Sequence, residues 1–191
     1  MPDFESGGER LMHWGMLIDL KKCVGCHACT IACQNEHNLP FAMKYCKVAK
    51  VGPVGEYPNI TAYNITTGCM HCADAPCVDG CPTGASRHRA DGIVTVDPDK
   101  CVGCLFCMVV CPYGVRQLNE ENGIVEKCTM CFNRLDEGLV TRCVETCQLQ
   151  ARSVGDLDDP DSELVKQIRK HNAQPLYSYL GTKPSIYYIM P

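Results

Sequence analysis

The 191-residue sequence has little of what usually builds a core or marks an enzyme. Aromatic residues make up 7 %, with one Trp and four Phe, too few for a large conventional core, so something other than ring packing has to hold the loops. No long apolar run is present: the most apolar stretch, Val102 to Cys111, falls short of the roughly 18 residues that cross a bilayer and is broken by Cys104 and Cys107. No block of Lys or Arg occurs and the net charge is -4, which argues against nucleic acid as a partner. Residues 1–22 show neither a positively charged start followed by an apolar stretch nor an adjacent Arg pair, so the chain is expected to carry no export signal of its own. A Gly-rich dinucleotide loop, a Ser/His/Asp spacing and an activated thiol in a recognisable motif are all missing, and no catalytic site or small-molecule substrate is expected.

What the sequence does have is cysteine, 17 in all. An odd count with regular spacing does not suit a disulfide framework and points to metal. Sixteen of them fall into four groups: Cys23, Cys26, Cys29, Cys33; Cys69, Cys72, Cys77, Cys81; Cys101, Cys104, Cys107, Cys111; and Cys128, Cys131, Cys143, Cys147. The first and third groups share both the C-x2-C-x2-C-x3-C spacing and the filler Cys-Val-Gly-Cys, an internal duplication. The second reads C-x2-C-x4-C-x3-C, and the fourth opens its middle gap to eleven residues.

Four structural zinc sites would also consume sixteen thiolates, but zinc does not ask for a third cysteine two residues on and a fourth three later. The ferredoxin run C-x2-C-x2-C-x3-C-P does, and the third group with Pro112 matches it, while the second with Pro82 differs by an insertion. In that run the fourth cysteine serves the other cluster of a pair. Crossing the groups on this rule joins the second with the third and the first with the fourth, giving two ferredoxin-like halves and four clusters. Cys23 to His27 also satisfies the c-type haem pattern, but covalent haem would strand Cys29 and Cys33. Cys46 has no partner group and reads as a small buried hydrophobe. His27 and His71 stand beside ligands without being needed as ligands. Lys22, Lys100 and Lys127 precede the first cysteine of three groups, with Gly68 in that place in the second, and are candidates for tuning potentials electrostatically.

The expected fold class is α+β: two bacterial-ferredoxin-like halves, each holding two clusters, loop-rich with short strands and helices. Met16 to Leu20 alternates as a strand, and Ile93 to Val96 is a β-branched run entered through Asp91-Gly92. The expected organisation is an N-terminal extension at 1–13, a first half from 14–39 and 117–155, a connector at 40–61, a second half at 62–116, and a C-terminal helix with a Tyr-rich docking tail at 156–191. The helix follows from acidic residues before Leu164, Val165 and Ile168 and basic ones after them. In the tail, Tyr177, Tyr179, Leu180, Tyr187, Tyr188 and Ile189 suggest a surface that packs partly against a partner subunit, the alternative being that the tail wraps the chain's own second cluster half.

The four motifs in order, with Gln34-Asn35-Glu36 after the first, Cys81-Pro82-Thr83-Gly84-Ala85, Cys111-Pro112-Tyr113-Gly114 and the closing Gly181-Thr182-Lys183-Pro184, carry a resemblance over about residues 14–191. The chain resembles the four-cluster iron–sulfur subunits of the dimethyl sulfoxide reductase type of molybdopterin oxidoreductases, the polysulfide-reductase-like members above all. That resemblance implies a non-catalytic electron-transfer subunit relaying single electrons through four [4Fe–4S] clusters between a molybdenum or tungsten catalytic subunit and a quinol-linked membrane subunit or other redox partner. It implies these ligand sets: Cys23, Cys26, Cys29 and Cys147 nearest the catalytic subunit; Cys33, Cys128, Cys131 and Cys143 next; Cys69, Cys72, Cys77 and Cys111 third; and Cys81, Cys101, Cys104 and Cys107 facing the donor. Cys104 stands where some relatives have Trp and a three-iron cluster, and Gln148 departs from the Pro that often follows the last cysteine. Relatives are often exported folded with their catalytic partner, so a peripheral place on the extracytoplasmic side of a membrane is expected. The alternatives are a cytoplasmic ferredoxin-like subunit of a formate dehydrogenase or hydrogenase type of complex, and a zinc-stabilised interaction module.

Overall fold

The computed structural model describes residues 12–191, so most of the N-terminal extension expected at 1–13 lies outside the described residues. The described chain is a small mixed α/β structure in which short elements deliver loops to the cysteines. Its largest sheet has four strands. Trp14–Asp19 pairs antiparallel with Arg152–Asp156 on one side and parallel with Ile186–Ile189 on the other, and Gln174–Pro175 closes the far edge. The strand expected from Met16 to Leu20 is therefore present two residues earlier, and its run of buried Gly15, Met16, Leu17 and Ile18 reflects cover on both faces.

Three two-stranded hairpins complete the β structure: Lys47–Val54 with Thr61–Thr67, Ser86–His88 with Val94–Val96, and Gln117–Asn119 with Ile124–Glu126. The second turns near Asp91-Gly92, where Gly92 has φ 81°, as its sequence suggests. The span 40–61, read as a plain connector, instead supplies one strand and the turn of the first hairpin.

Four of the short helices each present one or two cysteines. Ala28–Glu36 carries Cys29 and Cys33 and packs on Arg142–Glu145, which carries Cys143; Pro76–Asp79 packs in the same way on Phe106–Val109. Glu36 reaches Arg142 at 3.6 Å and Arg134 at 3.7 Å, tying the first cysteine group to the fourth. Glu163–Lys170 forms where the charge order predicts it, with Ser162 Oγ accepting from the Val165 amide at 3.2 Å as N-cap.

The C-terminal tail is corrected by the structure. Tyr188 and Ile189 are buried in the sheet beside Trp14–Asp19, and the Tyr188 hydroxyl donates to the Thr66 carbonyl at 2.9 Å, so these residues serve this chain's own core. Only Tyr177, Tyr179 and Leu180 of the expected docking set stay exposed.

Candidate metal centre

Each cysteine group bends its backbone the same way. The residue before the second cysteine has a positive φ in all four: Gly25 71°, His71 44°, Gly103 63° and Met130 55°. Glycine takes this conformation without strain, whereas His71 and Met130 bear roughly 1–2 kcal/mol each for it. Left-handed residues of this kind turn successive N–H groups to one side and make a concavity that suits an anion, iron–sulfur clusters included. His27 and Leu105, just after the second cysteine of the first and third groups, match as well at 62° and 63°. The two halves of the duplication thus share their backbone as well as their filler residues.

Side chains from different groups then meet. One cavity of about 310 Å³ is lined by Cys23, Cys26, Cys29 and Cys147. A second is lined by Cys33, Cys128, Cys131 and Cys143, with Cys46 and Cys69 at its wall. Cys69, Cys72, Cys77 and Cys111 line a third, and Cys81, Cys101, Cys104 and Cys107 a fourth. In each, three cysteines of one group face the fourth cysteine of another. Neighbouring cavities share walls: Arg152 stands between the first and second, Cys69 between the second and third, and Arg116 between the third and fourth, so the four lie in a row. Cys26 and Cys104, one in each end cavity, are the exposed cysteines.

The donor set fits iron–sulfur chemistry. Burial pushes the Cys33 thiol strongly upward, and the facing Cys128, Cys143 and Cys131 add to it. Burial likewise raises Cys128 to about 12 and Cys131 and Cys72 to about 11. Such thiols do not ionise alone; they give up protons when a metal takes the sulfurs. The sulfurs stand around cavities, four cysteines to each ligand set, an arrangement that fits the four-thiolate ligation of a multi-iron cluster. Backbone amides already point at sulfur: Ser86 N–H donates to Cys81 at 3.3 Å, Met130 to Cys128 at 3.4 Å and Ala151 to Cys147 at 3.3 Å.

Several neighbours differ from what their sequence position suggests. Cys46 does more than fill space: its thiol donates to Cys29 Sγ at 3.7 Å and accepts from Arg152 Nη2 at 3.2 Å. That bond from Cys46, aided by the Arg152 charge, overcomes burial and lowers Cys29 to about 5. His71 is fully buried, held neutral by burial and by the Lys127 and Arg116 charges; its Nδ1 accepts from the Val94 amide, and its Nε2 has no partner among the described residues. Lys22 and Lys100 are exposed and lie near Asp19 and Asp97, while Lys127 is buried and donates to the Val94 and Cys128 carbonyls. The three lysines are therefore not equivalent. Sequence reasoning missed Arg116 and Arg152, although each stands five residues after the last cysteine of a group.

Comparison with known proteins points to iron–sulfur clusters of the 4Fe-4S kind. A family model described as a 4Fe-4S dicluster domain matches residues 60–157, and a 4Fe-4S binding domain matches 14–35. The chain is 38 % identical, over 94 % of its length and 79 % of the relative's, to a protein of Halobacterium salinarum described as a dimethyl sulfoxide reductase iron–sulfur subunit. A tetrathionate reductase subunit of Salmonella typhimurium is 36 % identical over 98 % of this chain and 76 % of its own. The arsenate respiratory reductase iron–sulfur subunit ArrB of Shewanella is 35 % identical over 93 % and 96 %. With this likeness along nearly the whole sequence, and with the 4Fe-4S family match over half of it, the chain belongs to the iron–sulfur subunits of the dimethyl sulfoxide reductase type of molybdopterin oxidoreductases, which transfer electrons and leave catalysis to another subunit.

Proposed function

We propose that the chain holds four [4Fe–4S] clusters, one in each cysteine-lined cavity, and relays single electrons along the row. The ligand sets are Cys23, Cys26, Cys29, Cys147; Cys33, Cys128, Cys131, Cys143; Cys69, Cys72, Cys77, Cys111; and Cys81, Cys101, Cys104, Cys107. The observation that carries this reading is the row itself, in which each cavity shares a wall residue with the next. When bound, each cluster supplies a site that accepts and returns one electron. The protein's part is to hold the thiolates, to donate N–H bonds to their sulfurs, and to keep the inner two sites away from water, since Cys33, Cys72 and Cys131 are buried.

Two ferredoxin-like halves are supported by matched pairings. The strand entering the first group, Trp14–Asp19, pairs with the one leaving the fourth, Arg152–Asp156, as the strand entering the third, Val94–Val96, pairs with the one leaving the second, Ser86–His88. The ends of the row are where partners exchange electrons. Val24 and Leu149 are exposed beside the first cavity, and Val102 and Phe106 beside the fourth, giving each exposed cysteine an apolar rim. A molybdopterin catalytic subunit docks at the first and a quinol-linked membrane subunit or other redox partner at the fourth. No helix among the described residues is long and apolar enough to cross a membrane, and attachment comes through that partner, on the extracytoplasmic side as in exported members of the family.

The test is composition and electron count. Chain purified anaerobically in its complex is expected to hold about sixteen iron and sixteen sulfide and to take up about four electrons per chain, its brown colour bleaching as it does so. About eight iron, or a colourless chain with zinc, overturns the proposal.

A further inference from the structure

Arg116 and Arg152 occupy equivalent places in the chain and in space. Each follows the last cysteine of a group by five residues, Cys111 in one case and Cys147 in the other. Each is buried, at 4 % and 8 % exposure, and each lines two neighbouring cysteine cavities at once. Arg116 Nη2 donates to Cys77 Sγ at 2.9 Å and to Ser86 Oγ at 2.7 Å, and its Nε and Nη1 have no partner among the described residues. Arg152 Nη1 lies 3.7 Å from Cys143 Sγ, and its Nη2 donates to Cys46, which in turn donates to Cys29. A guanidinium remains charged in such surroundings and carries five donors in a fixed fork, so it can serve two anionic groups together.

We infer that Arg116 and Arg152 are positioning residues that raise the reduction potentials of both clusters in their half, each acting as a shared cation between two neighbouring negative sites. The inference rests on the four-cluster reading. A [4Fe–4S] group with four thiolates carries about -2 when oxidised and about -3 when reduced, so a buried positive charge favours the electron's arrival. Standing between two such groups, the same charge also offsets the repulsion that one reduced site exerts on the other. Low local dielectric strengthens both effects, and the side-chain groups that the two arginines are seen to contact are sulfurs and one hydroxyl. The exposed Lys100, near Asp97, lacks this position and provides the contrast.

The experiment is a potentiometric titration, followed by electron paramagnetic resonance, of the full chain in its complex, with iron measured on every sample. Arg116→Gln is expected to lower the two potentials of the half containing Cys77 and Cys107 by at least tenfold in the reduction equilibrium, about 59 mV for one electron. Arg152→Gln should do the same for the other half, Arg→Lys at either site should restore most of the shift, and Lys100→Gln, at an exposed lysine that lines none of the four cavities, should leave all four potentials in place. Unchanged potentials in both Arg→Gln variants with full iron overturn the inference. If Arg→Gln loses iron, full iron with near-native potentials in Arg→Lys supports charge as the requirement, and loss of iron in Arg→Lys as well overturns it in favour of shape. The iron content of the unaltered complex separates this from the cluster count: fewer than about sixteen iron contradicts four clusters, whatever the arginine variants do.

Discussion

Cys33→Ala is expected to cost the chain one cluster in four, and not the cluster that its own motif surrounds. Cys33 is buried, and the thiols whose charges bear on it are Cys128, Cys143 and Cys131. Its motif neighbours Cys23, Cys26 and Cys29 line a different cavity, completed by Cys147. In the proposed arrangement the eleven-residue middle gap of the fourth group puts Cys143 on its own helix, Arg142–Glu145, and Cys147 at the first cavity, so the second cavity is completed by Cys33. Iron should therefore fall to about three-quarters of the unaltered value. The lost resonance should be that of an inner cluster, and turnover with a donor at the far end should drop steeply because the relay is in series. Cys147→Ala is the matched control, removing the outer cluster instead. Loss of the same resonance in both variants would contradict the crossed arrangement.

Removing iron is expected to unfold the chain. Lys127, Arg116 and Arg152 are buried cations whose surroundings are backbone carbonyls, hydroxyl and thiol groups. With clusters present they face several negative charges; without them Lys127 and Arg116 face thiols that burial pushes up, Cys128 and Cys77, while Arg152 keeps the lowered thiol of Cys29 through Cys46. Stranding one partner of a buried charge pair costs about 3–5 kcal/mol, so two such sites already reach the range of ~5–15 kcal/mol that stabilises an ordinary domain. The short hairpins and four- to nine-residue helices offer little to offset this loss. The iron-free chain should show no cooperative melting transition and should be cut rapidly by protease at sites throughout the cysteine loops. A cooperative transition with the holo midpoint would show instead that the apolar core suffices.

Much of this was legible in the sequence because the strongest constraint is local. Cysteine spacing fixes how thiolates can wrap a cluster, so the four groups announced both the chemistry and the duplication, later visible in the matched φ of Gly25 and Gly103. The helix at Glu163–Lys170 was legible for the same reason, since its charge order and Ser162 cap act within one turn. The features that escaped depend on distant partners. Ile186–Ile189 enters the sheet parallel to Trp14–Asp19, a pairing across nearly the whole chain that leaves no periodic signal of its own. The hairpin from Lys47 to Thr67 was masked by Gly52, Pro53, Gly55 and Pro58, which read as loop. Cys46, Arg116 and Arg152 lie outside the motifs, and a single cysteine or arginine acquires meaning only when the fold brings it between two sites.

The central claim, four clusters in a row held by crossed quartets, is tested most directly by anomalous diffraction at the iron edge from anaerobic crystals of the loaded complex. Four iron peaks should appear in sequence along the chain, with Cys33 Sγ bonded to the cluster that also binds Cys128, Cys131 and Cys143. A bond from Cys33 to the cluster held by Cys23, Cys26 and Cys29, or iron in only two of the four cavities, would contradict it.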